Sequence, residues 1–248
     1  MLWNKSRQAR PELYIKSQNL FDHFNWKGEQ NLLLSVNMEI ESFELGPFAT
    51  NTFLLWNHEG GKAVLLDAPL GVEEAVPPFL AEQNLTLTDV YLTHGHWDHF
   101  AGLPFLEIQN IQTWLHPDDR LLVEQPELAS SYVPPGLPMK PAVINHDLIH
   151  GQRLTILGHS TEIRHVPGHC AGNVLFYFPD QKTAIVGDAI FAGSIGRTDL
   201  PGGDFPTLEK SICEQIYTLP DDTVLLPGHG PVTTVAKEKL SNPYVRPR

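Results

Sequence analysis

YLTHGHWDHFAG, Tyr91 to Gly102, packs three histidines and one aspartate into six consecutive positions. The run before them, DVYLT, alternates like a β-strand, and HFAGLPFLEI after it carries apolar residues at helical spacing. His94, His96, Asp98 and His99 therefore fill a strand-to-helix turn at a strand's carboxyl end, where the sites of open α/β folds lie. Imidazole nitrogen and carboxylate oxygen together suit zinc, iron or manganese. Gly95 lets the backbone bend so that the His94 and His96 rings face one point. One histidine in a turn is ordinary, but four ligand types spaced as H-x-H-x-D-H are a poor match to chance.

A metal centre built on that turn needs ligands from elsewhere in the chain. Three fit: His169 in HVPGHCAG, Asp188 in AIVGDAIF and His229 in LLPGHGP. Each follows an apolar strand and has a glycine directly before it, which allows close backbone packing. Seven ligands suit two four- or five-coordinate metals sharing a bridging carboxylate. His116, His146, His150, His159 and His165 lack that setting and read as hydrogen-bonded or exposed side chains. Cys170, next to His169, reads as an inert buried thiol.

Strand signals recur in SFELG, NTFLLWN, AVLLDAP, DVYLTH, IQTWLH, EIRHVPGH, NVLFYFP, TAIVGDAIF and TVLLPGHG. Helix signals sit in VEEAVPPFLAEQ, HFAGLPFLEI, PDDRLLVEQ and FPTLEKSICEQIYTL. Strands come first in a run and later alternate with helices, which predicts stacked sheets flanked by helices. Residues 1–37 are polar and dotted with aromatics, so a regular domain is expected to begin near Met38. Ser130 to Val143 holds four prolines and a glycine and reads as a loop long enough to form a rim or lid.

Composition narrows the function. A hydrophobic fraction of 42% and a charged fraction of 19% are those of a globular protein. With 17 Lys plus Arg against 29 Asp plus Glu, the net charge of −12 disfavours nucleic acid and anionic membrane as partners and leaves a small-molecule substrate. Two cysteines make no disulfide framework, and no signal peptide or membrane span is visible, so a cytoplasmic location is expected. Composition and spacing leave the oligomeric state open.

THGHWDH, PGHCAGN, VGDAIF and PGHG, in this order, resemble the metallo-β-lactamase superfamily. GRTDLPGGD and the ending PGHGP…NPY resemble its glyoxalase II-like branch. The resemblance covers Met38 to Arg248, leaving residues 1–37 as a peripheral extension. It implies an α/β fold of the α+β type, a four-layer αββα sandwich holding two divalent ions, zinc first, with iron or manganese as alternatives. His94, His96 and His169 would hold one ion, Asp98, His99 and His229 the other, and Asp188 would bridge them. Asp67, ending AVLLDAP, matches the acidic residue that supports a histidine ligand from behind. Arg197 in SIGRTDLPGGD would either pair with Asp199 or face the substrate, and Tyr132 and Lys140 of the proline-rich loop are further substrate contacts.

The activity implied is thioester hydrolysis by a metal-bridging hydroxide, with Asp98 orienting it as the catalytic residue. A single-iron persulfide dioxygenase using His94, His169 and Asp188 is the rival. Its relatives typically carry Ala-His-Asp where this chain has Gly228-His229-Gly230. A lactonase or other ester hydrolase of the same fold and a non-catalytic binding protein rank below it. Only 19 residues follow His229, too few for the helical glutathione-binding domain of glyoxalase II itself.

Overall fold

Alternation along the strands divides the apolar side chains between faces. In β3 (Thr50–Asn57), Phe53 and Leu55 enter one buried cluster, while Leu54 and Trp56 enter another. In β4 (Lys62–Leu66), Val64 and Leu66 part from Ala63 and Leu65 in the same way. In β10 (Val174–Phe178), Val174, Phe176 and Phe178 join the cluster of Phe53, and Leu175 and Tyr177 enter a third. A period of two with both faces apolar requires cover on both sides of each sheet. The shared cluster is the seam between two sheets.

The computed structural model describes residues 16–19, 38–57, 60–129 and 133–247. The first sheet runs in chain order: β1 (Lys16–Asn19), β2 (Glu39–Leu45), β3, β4, β5 (Thr86–Tyr91), β6 (Gln112–Leu115) and β7 (His146–Asp147). Its first four strands are antiparallel, and from β4 onward neighbours are parallel. Across the second sheet the order is β15 (Thr233–Thr234), β14 (Val224–Pro227), β11 (Thr183–Gly187), β10, β9 (His159–His165), β8 (Arg153–Ile156). Only β11 and β14 pair in parallel there. A separate hairpin joins β12 (Ile190–Phe191) to β13 (Ser194–Ile195).

Helices cover the outer faces. Val72, Val76 and Leu80 of α1 (Val72–Glu82), Trp97 and Phe100 of α2 (Trp97–Phe100) and Val123 of α3 (Arg120–Glu124) pack on the first sheet. Leu208 of α4 (Phe205–Ser211), Ile212 and Ile216 of the π-type turn continuing it, and Val235 of α5 (Val235–Ser241) pack on the second. Each large side chain buried this way contributes about 1.5–3 kcal/mol. The expected αββα sandwich is the observed fold.

Three expectations change in detail. The helix read from HFAGLPFLEI shrinks to α2 and a 3-10 turn at Leu103–Phe105, because Gly102 and Pro104 interrupt it. The described part of the proline-rich loop packs Val133, Leu137 and Met139 against the first sheet's outer cluster, so it covers core. Lys16–Asn19 pairs with β2 as an edge strand, and the rest of residues 1–37 lies outside the described residues. Among the described residues no helix is long and apolar enough to cross a membrane.

Strand direction sets up the site. β9 and β11 are each antiparallel to β10 and so run the same way. The carboxyl ends of β9, β11 and β14 thus lie along one edge, and those of β4 and β5 along one edge of the other sheet. Asn51, at the start of β3, links the two edges: its N–H donates to Gly228 O at 2.7 Å, and its Nδ2 donates to Pro227 O and Gly230 O, both at 2.9 Å.

Candidate metal centre

All seven ligand-type residues meet at this junction. His94, His96 and His169 form one group and Asp98, His99 and His229 another, the ligand atoms of each lying within 4.8 Å of one another. Asp188 stands between them: its oxygens are 3.6 Å from His169 Nε2 and 3.4 Å from the Nε2 atoms of both His99 and His229. The donors come from four strand ends in two sheets, those of β5, β9, β11 and β14.

Outer partners decide which ring nitrogen faces inward. Asp67 Oδ2 accepts from His99 Nδ1–H at 2.8 Å, the Arg197 carbonyl from His169 Nδ1–H at 2.8 Å, and the Phe48 carbonyl from His229 Nδ1–H at 3.1 Å. Each leaves its Nε2 facing into the cluster. Thr93 does the same for His94: its hydroxyl donates to Asp67 Oδ2 at 2.8 Å and accepts from His94 Nδ1–H at 3.0 Å. Asp67 therefore orients His99 directly and His94 through Thr93. Its backbone adopts φ 63, a left-handed conformation that aspartate tolerates better than most residues. His96 presents Nδ1, 2.8 Å from His169 Nε2.

Two observations fit a cation here. His94 Nε2 and Asp188 Oδ1 are buried without a hydrogen-bond partner, which costs free energy unless something coordinates them. Burial and the neighbouring imidazoles hold His94 well below the usual histidine range and His96 down to about 3, so both are neutral ligands. Burial also opposes charge on His99 and His229. The carboxylates of Asp188, Asp67 and Asp98 nonetheless raise His99, and Asp188 and Asp98 push His229 up to about 10. Burial opposes charge on Asp98 and Asp188, but His99 and His229 together outweigh it and lower both. Protons on His99 and His229 thus offset part of the carboxylate charge.

Gly228 explains part of the fit. A Cβ there would lie 2.2 Å from Asp188 Oδ1 and 2.7 Å from His99 Cε1, so the chain beside His229 can approach only without a side chain.

Substrate contacts fare differently. The Arg197 guanidinium is exposed and bonded through Nε and Nη2 to Asp199 at 2.7 and 2.8 Å; what it gives the site is its backbone carbonyl. Lys140 is exposed, its ammonium 4.4 Å from the Phe105 ring centroid, and among the described residues no hydrogen bond or ion pair joins it to the cluster. Tyr132 lies outside the described residues. His116 and His165 stack at 4.1 Å and 12°, and with Asp118 they form a separate group whose ligand atoms lie within 4.8 Å of one another. His159 is buried against Asp180, and Cys170 is a buried thiol whose pKa burial pushes up.

Sequence reading missed Thr93 and Thr50. Thr50 Oγ1 donates to Asp98 Oδ2 at 3.3 Å. Thr93 had a signal, its place between the strand and His94. Thr50 had none, since it reaches the site from 48 residues away.

The metallo-beta-lactamase superfamily pattern matches residues 45–229. Hydroxyacylglutathione hydrolase GloC of Haemophilus influenzae is 36% identical over 213 residues, spanning 84% of this chain and 98% of that protein. The crystal structure of the BLEG-1 B3 metallo-beta-lactamase superposes with a TM-score of 0.76 at 36% identity, over 83% of this chain and 99% of that one. TTHA1623 in a di-iron-bound form superposes with a TM-score of 0.67 at 36% identity, over 82% and 98%.

Proposed function

The chain belongs to the metallo-beta-lactamase superfamily of metallo-hydrolases, and on that basis we propose that it is a dinuclear thioester hydrolase of the glyoxalase II type, acting on small S-acyl substrates in the cytoplasm. The observation that carries this reading is the group of Asp98, His99 and His229 beside the group of His94, His96 and His169. A single-iron dioxygenase would use only His94, His169 and Asp188, and because its relatives share the H-x-H-x-D-H turn, it is Gly228-His229-Gly230 in place of their Ala-His-Asp that favours the hydrolase. Similarity to a hydroxyacylglutathione hydrolase and to a di-iron protein supports the same choice.

Divalent ions bound there would lower the pKa of a coordinated water toward neutrality and polarise a carbonyl. The protein's own groups do the rest. Asp98, kept ionised by His99 and His229 and steadied at Oδ2 by Thr50, accepts a hydrogen bond from the attacking water and orients it. Asp67, Thr93 and the carbonyls of Phe48 and Arg197 hold the imidazoles in fixed tautomers. A thiol of pKa about 8.5 leaves readily, so little acid catalysis is required.

A substrate panel tests this: an S-acylglutathione, the same acyl group on a shorter thiol, a lactone, a β-lactam and a persulfide. Thioesters should give the highest kcat/KM. Because Arg197 is engaged by Asp199, shortening the thiol should cost on the order of tenfold, about 1.4 kcal/mol. Oxygen uptake on the persulfide without thioester hydrolysis would overturn the proposal, and a thousandfold loss with the short thiol would reveal a dedicated glutathione site.

A further inference from the structure

We infer that Asp119 is a positioning residue of the metal centre, a buried carboxylate that fixes the distance between the loop carrying His94 and His96 and the loop carrying His169. Asp119 follows β6 at the end of the short turn Pro117–Asp119 and is 1% exposed. Its Oδ2 accepts from Gly95 N–H at 2.8 Å and from the Cys170 thiol at 3.1 Å, and its Oδ1 accepts from Gly172 N–H at 2.8 Å. Gly95 lies between His94 and His96; Cys170 directly follows His169. One side chain therefore holds both loops, 24 residues away in one direction and 51 to 53 in the other.

The fit leaves no slack. A Cβ on Gly95 would sit 2.8 Å from Asp119 O and 2.9 Å from Asp119 Cβ, and one on Gly172 would sit 2.6 Å from Asp119 Cγ. Both loops press backbone against this carboxylate. Hydrogen bonds to an ionised acceptor are roughly twice as strong as neutral ones, and a carboxylate is the side chain that accepts on both oxygens at once. The distance so governed is the 2.8 Å between His96 Nδ1 and His169 Nε2. Asp119 touches neither ring. It acts through Gly95, Cys170 and Gly172.

Asp119→Asn keeps the volume but turns an N–H₂ toward one of the three donors, so one loop is released. This inference rests on the metal centre proposed above, and chelator-competition titration of the wild-type chain with zinc comes first: a chain that binds no zinc contradicts both. In Asp119→Asn, zinc affinity at the His94, His96 and His169 group should fall on the order of 10–100-fold. Affinity at the Asp98, His99 and His229 group should change by no more than about threefold, because Asp119 bonds none of those residues and the groups couple only through the shared Asp188. In a His169→Ala background, adding Asp119→Asn should change the remaining zinc affinity by no more than that. Equal weakening at both groups, or no weakening at either, would overturn the inference. Should Asp119→Asn fail to fold, Cys170→Ala removes one donor and should weaken the same group selectively while Cys170→Ser restores it; an unselective loss or no loss would again overturn the inference.

Discussion

At the scale of single residues, what distinguishes this site is how its imidazoles are held from behind. Asp67 bonds His99 directly and His94 through Thr93, so Asp67→Asn should lower metal affinity on the order of 10–100-fold, read by chelator competition. Arg197→Ala removes only an exposed pair with Asp199 and keeps the carbonyl that holds His169, so its metal affinity should match wild type. Protons compete with metal unevenly across the site. His229, at about 10 in the metal-free protein, and His99, also raised, must each lose a proton to become ligands. His94 and His96 are already neutral. Affinity at the His229 group should therefore fall about tenfold or more per pH unit as pH drops from 8 to 6, while affinity at the His94 group changes less. A flat profile for the His229 group would contradict the assignment. The seven clustered ligand-type residues were legible because His and Asp at strand ends, with a glycine before three of them, are an uncommon pattern. Thr50 and Asp119 were not legible, because a threonine in a strand or an aspartate in a turn is ordinary until a distant loop folds onto it, and the one signal for Thr93 was its place directly before His94.

At the scale of elements, the strands were the most legible part. Apolar runs on both faces give β3, β4, β10, β11 and β14 a pattern that burial in two directions dictates. Short or polar elements escaped: β7 and β15 have two residues each, and α5 reads VAKEKLS with Val235 its buried apolar anchor. The link between β3 and the loop after β14 also escaped, since nothing in TNT announces that Asn51 will bond Pro227 O and Gly230 O. That link joins the two sheets beside His229. Asn51→Ala deletes both bonds and should lower stability by about 1–3 kcal/mol, as measured by urea unfolding. It should also lower metal affinity at the His229 group more than at the His94 group. An unchanged unfolding midpoint would show that the backbone bond from Asn51 N–H to Gly228 O suffices alone.

At the scale of the whole molecule, the fold's task is to bring strand ends of two sheets into register. Neither sheet alone carries a complete ligand set: the first supplies His94, His96, Asp98 and His99, and the second supplies His169, Asp188 and His229. Stacked sheets flanked by helices followed from the order of strand and helix signals, and the αββα layering from the family resemblance. The meeting of the two edges rests on side-chain and backbone bonds across more than a hundred residues, which no local pattern encodes. The proposed pair of adjacent metal positions depends on this meeting, and metal stoichiometry distinguishes it from a single position. Protein expressed in metal-balanced medium should carry two divalent ions per chain, and His229→Ala should carry one with its fold intact. One iron per chain in the wild type, unchanged in His229→Ala, would contradict the dinuclear centre.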